Sequence, residues 1–262
     1  MMNFYMTPGS CSTGIHILLE ELELVFSANV VNLPAGDNQK PAFLAINPKG
    51  TIPVLVLDSG VVLSDFVTIA WWLAMQYPRA KLLPDRLDSQ AEVMTVTSDI
   101  VNIIHSQGFT RLFTTERYMQ RADDREAVET QGREIIAKGF TQIAQRLETT
   151  GGYLFKQFSI ADAALFYVEF WAQRIQLEMP TVCMDHLYLM QRRPVVQRVL
   201  AKRVIELLSG LELNCEPTLR VFRRVLNTVF TRWYRWWLEF SSAILASRVR
   251  QPMGNFQPAE HP

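Results

Sequence analysis

The sequence predicts a mixed α/β domain over residues 1–80, an all-helical domain over 88–208, and a helical extension with a disordered tail over 209–262. Three observations support this division. Short β-type runs alternate with helix-period stretches through the first segment. Strand signals vanish beyond Asp88, after a Pro-bounded linker at 78–84. Beyond a helix break at Gly210, a new apolar stripe starts at Phe222 and recurs at spacings of three and four through Val225, Leu226, Val229, Trp233, Trp237, Phe240 and Ile244.

In chain order, residues 3–6 read as a strand, followed by the turn Thr7-Pro8-Gly9-Ser10. Ile15, Leu18, Leu19 and Leu22 recur at helical spacing. Residues 28–33 are a second strand and 41–46 a short helix behind proline. Asn47-Pro48-Lys49-Gly50 is dense turn chemistry. Residues 54–57 and 61–63 form a strand pair across Asp58-Ser59-Gly60, a hairpin signal. Asp65 opens a helix carrying Ile69, Trp72 and Leu73, with Trp71-Trp72 as its core and rim. The order β-α-β-α-β-β-α fits a small mixed sheet with helices on both faces. The second domain reads as helices over 89–119, 124–148, 160–175, 185–192 and 195–208, and Ser159-Ile160-Ala161-Asp162 has the form of a capping box.

Composition narrows the function. The 262 residues are 48% hydrophobic, enough for a sizeable core, and 26 basic side chains balance 26 acidic ones. A net charge of zero leaves no bulk field for a nucleic acid or an anionic membrane. No uncharged apolar run is long enough for a membrane span, and the start lacks the pattern of a signal peptide. Three cysteines (Cys11, Cys183, Cys215) and four scattered histidines supply neither a disulfide framework nor metal-knuckle spacing. The expectation is a cytoplasmic protein with no metal, in which Cys183 and Cys215 pack.

Three places could carry chemistry. Cys11 follows a strand and a Pro-Gly turn and opens a helix, where backbone amides and the macrodipole lower a thiol pKa. The alternative is a small buried hydrophobe. Gly14 stands where a dithiol motif would place its second cysteine, so redox work at Cys11 needs an external thiol. Ile52-Pro53 either starts a strand or, if cis, turns backbone groups outward toward an extended ligand. Ser64-Asp65-Phe66 opens a helix. Its amides suit a carboxylate and Asp65 suits an ammonium, unless Asp65 is an ordinary cap.

Taken together, Tyr5…Pro8-Gly9-Ser10-Cys11-Ser12, Asn47-Pro48-Lys49-Gly50-Thr51-Ile52-Pro53-Val54 and Leu63-Ser64-Asp65 resemble the thioredoxin-like half of a bacterial, beta-class-like glutathione S-transferase. Gly108-Phe109-Thr110, Ser159-Ile160-Ala161-Asp162-Ala163 and Arg193-Pro194-Val195-Val196-Gln197 match that family's helical half. The resemblance spans about residues 2–204 and implies a thioredoxin-like domain followed by a helical bundle. It also implies a cytoplasmic homodimer with glutathione as co-substrate, no other cofactor, and a small hydrophobic electrophile entering between the halves. Cys11, with Tyr5 and Ser12 nearby, would meet the glutathione sulfur. Ile52, before a cis Pro53, would pair with the cysteinyl backbone, and Asp65 with the Phe66 amide would hold the γ-glutamyl end.

The chain departs from the family pattern at three places. Asp65-Phe66 replaces Glu followed by Ser or Gly. Ser106-Gln107, taken as substrate-binding positions, replaces a His-Lys pair, which leaves His105 one position off, ~100° around an α-helix, and reads it as structural. Ala35 and Gly36 stand where a basic residue is expected. Two other functions stay open: glutathione-dependent disulfide reduction through Cys11, and a non-catalytic binding or scaffold protein. The extension, with its Trp233-Tyr234-Arg235-Trp236-Trp237 cluster, reads as packing on the helical domain or a second subunit, as a lid, or as a membrane-surface or partner helix.

Overall fold

A computed structural model describes residues 1–209 of the chain, with side chains through residue 201. The expectations for 210–262, including the stripe from Phe222, the tryptophan cluster and Cys215, lie outside the described residues.

The first half contains β1 (Met2–Met6), α1 (Ser12–Glu21), β2 (Phe26–Val30), α2 (Pro41–Leu44), β3 (Val54–Val56), β4 (Val62–Ser64) and α3 (Phe66–Gln76). The strand order is β2-β1-β3-β4, with β1 and β2 parallel and the other pairs antiparallel. The strand period sorts β1 onto two faces. Met2, Phe4 and Met6 enter the main core with α1 and α3. Tyr5 packs on the opposite, smaller cluster of Val31, Phe43 and Val54. Strand β2 lies two residues earlier than the expected 28–33. The parallel register pairs Met2 with Phe26, and the Phe26 ring lies 6.0 Å from Phe4 and 5.6 Å from His16. Packing at Phe26 outweighs the local β propensity of the later residues.

The linker is fastened rather than loose. Residues Pro78–Ala80 form a 3₁₀ turn, Leu82 and Leu83 are buried, and the Ile160 N–H donates to the Leu82 carbonyl at 3.2 Å. Helix α4 (Leu87–Asp99) runs without a break into a π-helical stretch, Ile100–Phe109, and then α5 (Thr110–Phe113), where a single helix over 89–119 was expected. Helices α6 (Arg125–Thr150), α7 (Ile160–Arg174), α8 (Thr181–Gln191) and α9 (Pro194–Ser209) follow. Helix α8 starts four residues before the expected 185, directly behind Pro180, which ends the preceding segment and leaves Thr181 free to begin a helix.

Helix α7 is buried all round from Ile160 to Ala172, as a central helix must be. Asp162 Oδ2 accepts from the Ser159 N–H and Oγ, both at 2.7 Å, and Oδ1 accepts from the Leu154 N–H at 2.7 Å. His186 of α8 reaches Glu169 Oε2 with Nδ1 at 2.7 Å and Asp162 Oδ1 with Nε2 at 3.3 Å, all three side chains being fully buried. Burial pushes the Glu169 carboxyl up to about 7. For His186, burial lowers the pKa, but the two carboxylates outweigh it and hold the imidazole at about 10. Arg193 ties the two halves together. Its Nε and Nη2 donate to Glu21 Oε1 at 3.0 and 2.6 Å, and Nη1 donates to the Tyr153 hydroxyl at 2.6 Å.

Candidate functional site

Cys11 sits at the entry to α1, as its turn chemistry predicts, and is buried. Its Sγ donates to the Ile52 carbonyl at 3.7 Å, joining two motifs 41 residues apart in sequence. The expected lowering of its pKa does not occur. The backbone amides of Cys11 and Ser12 and the Ser10 hydroxyl do favour the thiolate, but burial outweighs them and pushes the thiol up to about 12. Helix amides lower a thiol pKa only where the sulfur keeps contact with water, and the packing of the main core around Cys11 removes that condition.

Neighbouring groups fix the loop before α1. Ser12 Oγ accepts from the Thr7 N–H at 3.2 Å and lies 2.6 Å from Ser10 Oγ, so the Ser12 hydroxyl is spent on the turn. The Ile52–Pro53 bond is cis. Ile52 packs against both hydrophobic clusters and is the link between Cys11 and the face that carries Tyr5. The Tyr5 ring meets Phe43 edge-on at 6.0 Å.

Asp65 precedes α3, and its N–H donates to the Pro53 carbonyl at 3.3 Å, placing the start of α3 beside the cis bond. Its carboxylate accepts from the Thr68 N–H at 2.9 Å and the Thr68 Oγ1 at 3.1 Å. Asp65 is therefore an N-cap, with an exposed carboxylate beside the first amides of α3. The Phe66 ring is buried, 5.3 Å from that of Tyr167.

Ser106 and Gln107 do not join this group. Ser106 Oγ donates to the Val101 carbonyl at 2.8 Å, the Gln107 main-chain carbonyl accepts from Arg111 Nη1, and both residues are exposed. His105 takes the inward place instead. The π-helical stretch shifts the angular phase of the residues that follow Ile100 relative to a regular α-helix, and within it His105 faces α7. Its Nδ1 lies 3.2 Å from the Tyr167 hydroxyl, and its ring packs edge-on against Trp171 at 4.9 Å. Burial pushes the imidazole down to about 4, so it is neutral at pH 7.

Sequence reasoning missed Tyr167 and Trp171. Trp171 Nε1 donates to the Gly9 carbonyl at 2.8 Å, a bond from α7 into the loop that presents Cys11. The signal was present: two aromatics four residues apart share one face of a helix. Phe109 and Phe113 pack against Trp171 at 5.3 and 5.4 Å, Phe109 buried and Phe113 half-buried. Among the described residues, no group of three or more His, Cys, Asp or Glu is placed to hold a metal ion.

Comparison with known proteins gives a consistent result. Residues 9–76 match the family model described as glutathione S-transferase, N-terminal domain, and residues 115–202 match the C-terminal domain of the same family. Glutathione S-transferase GstA of Escherichia coli O157:H7 is 32% identical over 210 residues, covering 76% of this chain and 98% of that protein. A solved glutathione transferase homologue from Sulfitobacter, with bound glutathione, superposes with a TM-score of 0.68 at 25% identity, covering 77% of this chain and 98% of the other. A bacterial beta-class enzyme from Sphingomonas chungbukensis does so with a TM-score of 0.65 at 25% identity and the same coverage.

Proposed function

Because the chain belongs to the glutathione S-transferase family, we propose that it conjugates glutathione to small hydrophobic electrophiles, with Cys11 beside the glutathione sulfur. The observation that carries this reading is the 3.7 Å contact between Cys11 Sγ and the carbonyl of Ile52, directly before the cis proline. It brings a thiol and a strand-entry backbone into one site, where an extended thiol peptide finds both a sulfur neighbour and a backbone partner. Tyr5 and Ser12 support that site from the sheet and the turn. The start of α3 receives the γ-glutamyl end, with the Phe66 amide for its carboxylate and Asp65 for its ammonium.

A buried thiol with a pKa of about 12 stays protonated at pH 7. Cys11 is therefore a hydrogen-bond donor to the glutathione sulfur rather than the nucleophile. Such a donor favours the glutathione thiolate, whose proton passes to solvent. The thiolate attacks the electrophilic carbon, a C–S bond forms, and the leaving group departs with its electron pair. The half-buried Phe113, stacked on Phe109, supports an apolar acceptor. The protonation state also favours conjugation over disulfide reduction, which requires a Cys11 thiolate to attack.

The reading includes a cytoplasmic homodimer working in detoxification, with Ser106 and Gln107 outside the glutathione contacts. No helix among the described residues is long and apolar enough to cross a membrane. The test is Cys11→Ala assayed with a chloro-nitroaromatic acceptor and varied glutathione. Losing one such hydrogen bond lowers kcat/KM by about tenfold. Unchanged kcat/KM would remove Cys11 from the mechanism.

A further inference from the structure

The loop that presents Cys11 is fastened by its own half at both ends and by the helical half in the middle. At its base the Thr7 hydroxyl donates to the Val31 carbonyl at 2.6 Å, and the Thr7 N–H donates to Ser12 Oγ at 3.2 Å. At its far end the Ser10 N–H and hydroxyl donate back to the Thr7 carbonyl at 3.1 and 2.7 Å. Between them lies Gly9, whose φ of 80° is a left-handed conformation that glycine adopts without a Cβ clash. Among the described residues, the donor to the Gly9 carbonyl is Trp171 Nε1 of α7, at 2.8 Å and 162 residues away in sequence.

The donor is rigid. Trp171 is buried, and four rings meet its indole edge-on: His105 at 4.9 Å, Tyr167 at 5.0 Å, Phe109 at 5.3 Å and Phe113 at 5.4 Å. Turning the indole would displace several of them, so its N–H stays where the helical half sets it. The acceptor side is looser, because residues 7–10 are all half-buried. Cys11 follows Gly9 by two positions and is buried although its loop is not. Such a thiol stays out of water only while the loop lies against the core.

We propose that Trp171 is a positioning residue for Cys11: its indole N–H fastens the Gly9 carbonyl, and this bond keeps the Cys11 thiol seated at the Ile52 carbonyl. Trp171 acts through the backbone of the loop. Without the bond the loop opens more often, and each opening lets water reach the sulfur. That relieves the burial which pushes the thiol up to about 12, so Cys11 becomes more reactive toward a small alkylating agent. The inference rests on the reading of Cys11 as the glutathione-side sulfur, but its test uses neither glutathione nor an acceptor.

The first variant is Trp171→Phe, which keeps an aromatic ring in α7 and removes the N–H. In the full chain at pH 8, alkylation by iodoacetamide is followed by peptide mass spectrometry, which separates Cys11 from Cys183 and Cys215. Cys183 is the internal control: it is fully buried, its Sγ donates to the Phe140 carbonyl at 3.8 Å, and a general loosening would expose it as well. Losing one hydrogen bond raises the opening equilibrium of the loop about five- to tenfold, so the Cys11 rate should rise by that factor relative to Cys183. A ratio equal to that of the wild type overturns the proposal, whether neither cysteine has moved or both have loosened alike. Phenylalanine is smaller than tryptophan, so a second protein carries benzothienylalanine at position 171, which keeps the two-ring outline and lacks the N–H. It should show the same rise, and it carries the test alone if Trp171→Phe does not fold. Unchanged kcat/KM in Cys11→Ala would defeat the proposed function, whereas the alkylation ratio decides this inference by itself.

Discussion

Gly14→Ala separates two opposed effects at one position. Alanine in a helix interior is favoured over glycine by about 1 kcal/mol, so propensity alone predicts stabilisation. Packing predicts the reverse. The new Cβ would stand 2.5 Å from the Ala163 carbonyl oxygen and 2.6 Å from Phe66 Cε2. The Phe66 ring is held by Tyr167, and the Ala163 carbonyl belongs to the buried backbone of α7, so neither can yield by a side-chain rotation. Overpacking of this kind costs about 1–3 kcal/mol, and a backbone oxygen puts it at the upper end. The net expectation is destabilisation by about 1–2 kcal/mol. At about 2–4 °C per kcal/mol for a chain of this size, the thermal midpoint falls by about 2–8 °C in a circular-dichroism melt. A midpoint equal to or above the wild type would refute the close approach of α1 to α7. It would also refute the steric exclusion of any side chain, a second cysteine included, from position 14.

Two further outcomes follow from buried charge. Glu169 is raised from 4.5 to about 7 and His186 from 6.5 to about 10, so the folded state holds a proton the unfolded state has released from pH 4.5 to 7 at Glu169 and, in the window from pH 6.5 to 10, at His186. Stability therefore falls as pH rises through that window, whereas His105, lowered to about 4, acts only below 6.5. Melts across the window should show a declining midpoint that the double variant Glu169→Leu, His186→Phe flattens, and a midpoint that holds or climbs in the wild type contradicts the buried pair. Arg193→Met leaves Glu21 and the Tyr153 hydroxyl without their donor at the junction of the halves. A loss of about 1–3 kcal/mol in urea unfolding is expected, and a change within error would mean the guanidinium contributes only packing.

Much of this arrangement was legible in the chain itself. The strand over residues 3–6, the hairpin at Asp58-Ser59-Gly60 and the capping box at Ser159 are local rules, and the structure keeps them. Cys11, Ile52, Pro53 and Asp65 were readable because each sits at an element boundary where turn chemistry marks the position. What was not legible depended on contacts distant in sequence. The start of β2 follows its register with β1, and the Cys11 pKa follows from a core assembled from both halves. The π-helical stretch after Asp99 was not legible, and within it His105 meets Tyr167 of α7 while the Ser106 hydroxyl bonds back to Val101. Asp65 was ambiguous for a different reason: capping and ammonium binding use the same carboxylate at the same helix end.

Glutathione binding at the Cys11–Ile52–Asp65 surface is the most direct point to measure. Reduced glutathione titrated calorimetrically into the full chain should give saturable heat at micromolar to low-millimolar affinity, with a matching rise in thermal midpoint. Asp65→Ala should weaken that binding while the chain stays folded. No heat and no thermal stabilisation at many millimolar glutathione would contradict a working glutathione site on this fold.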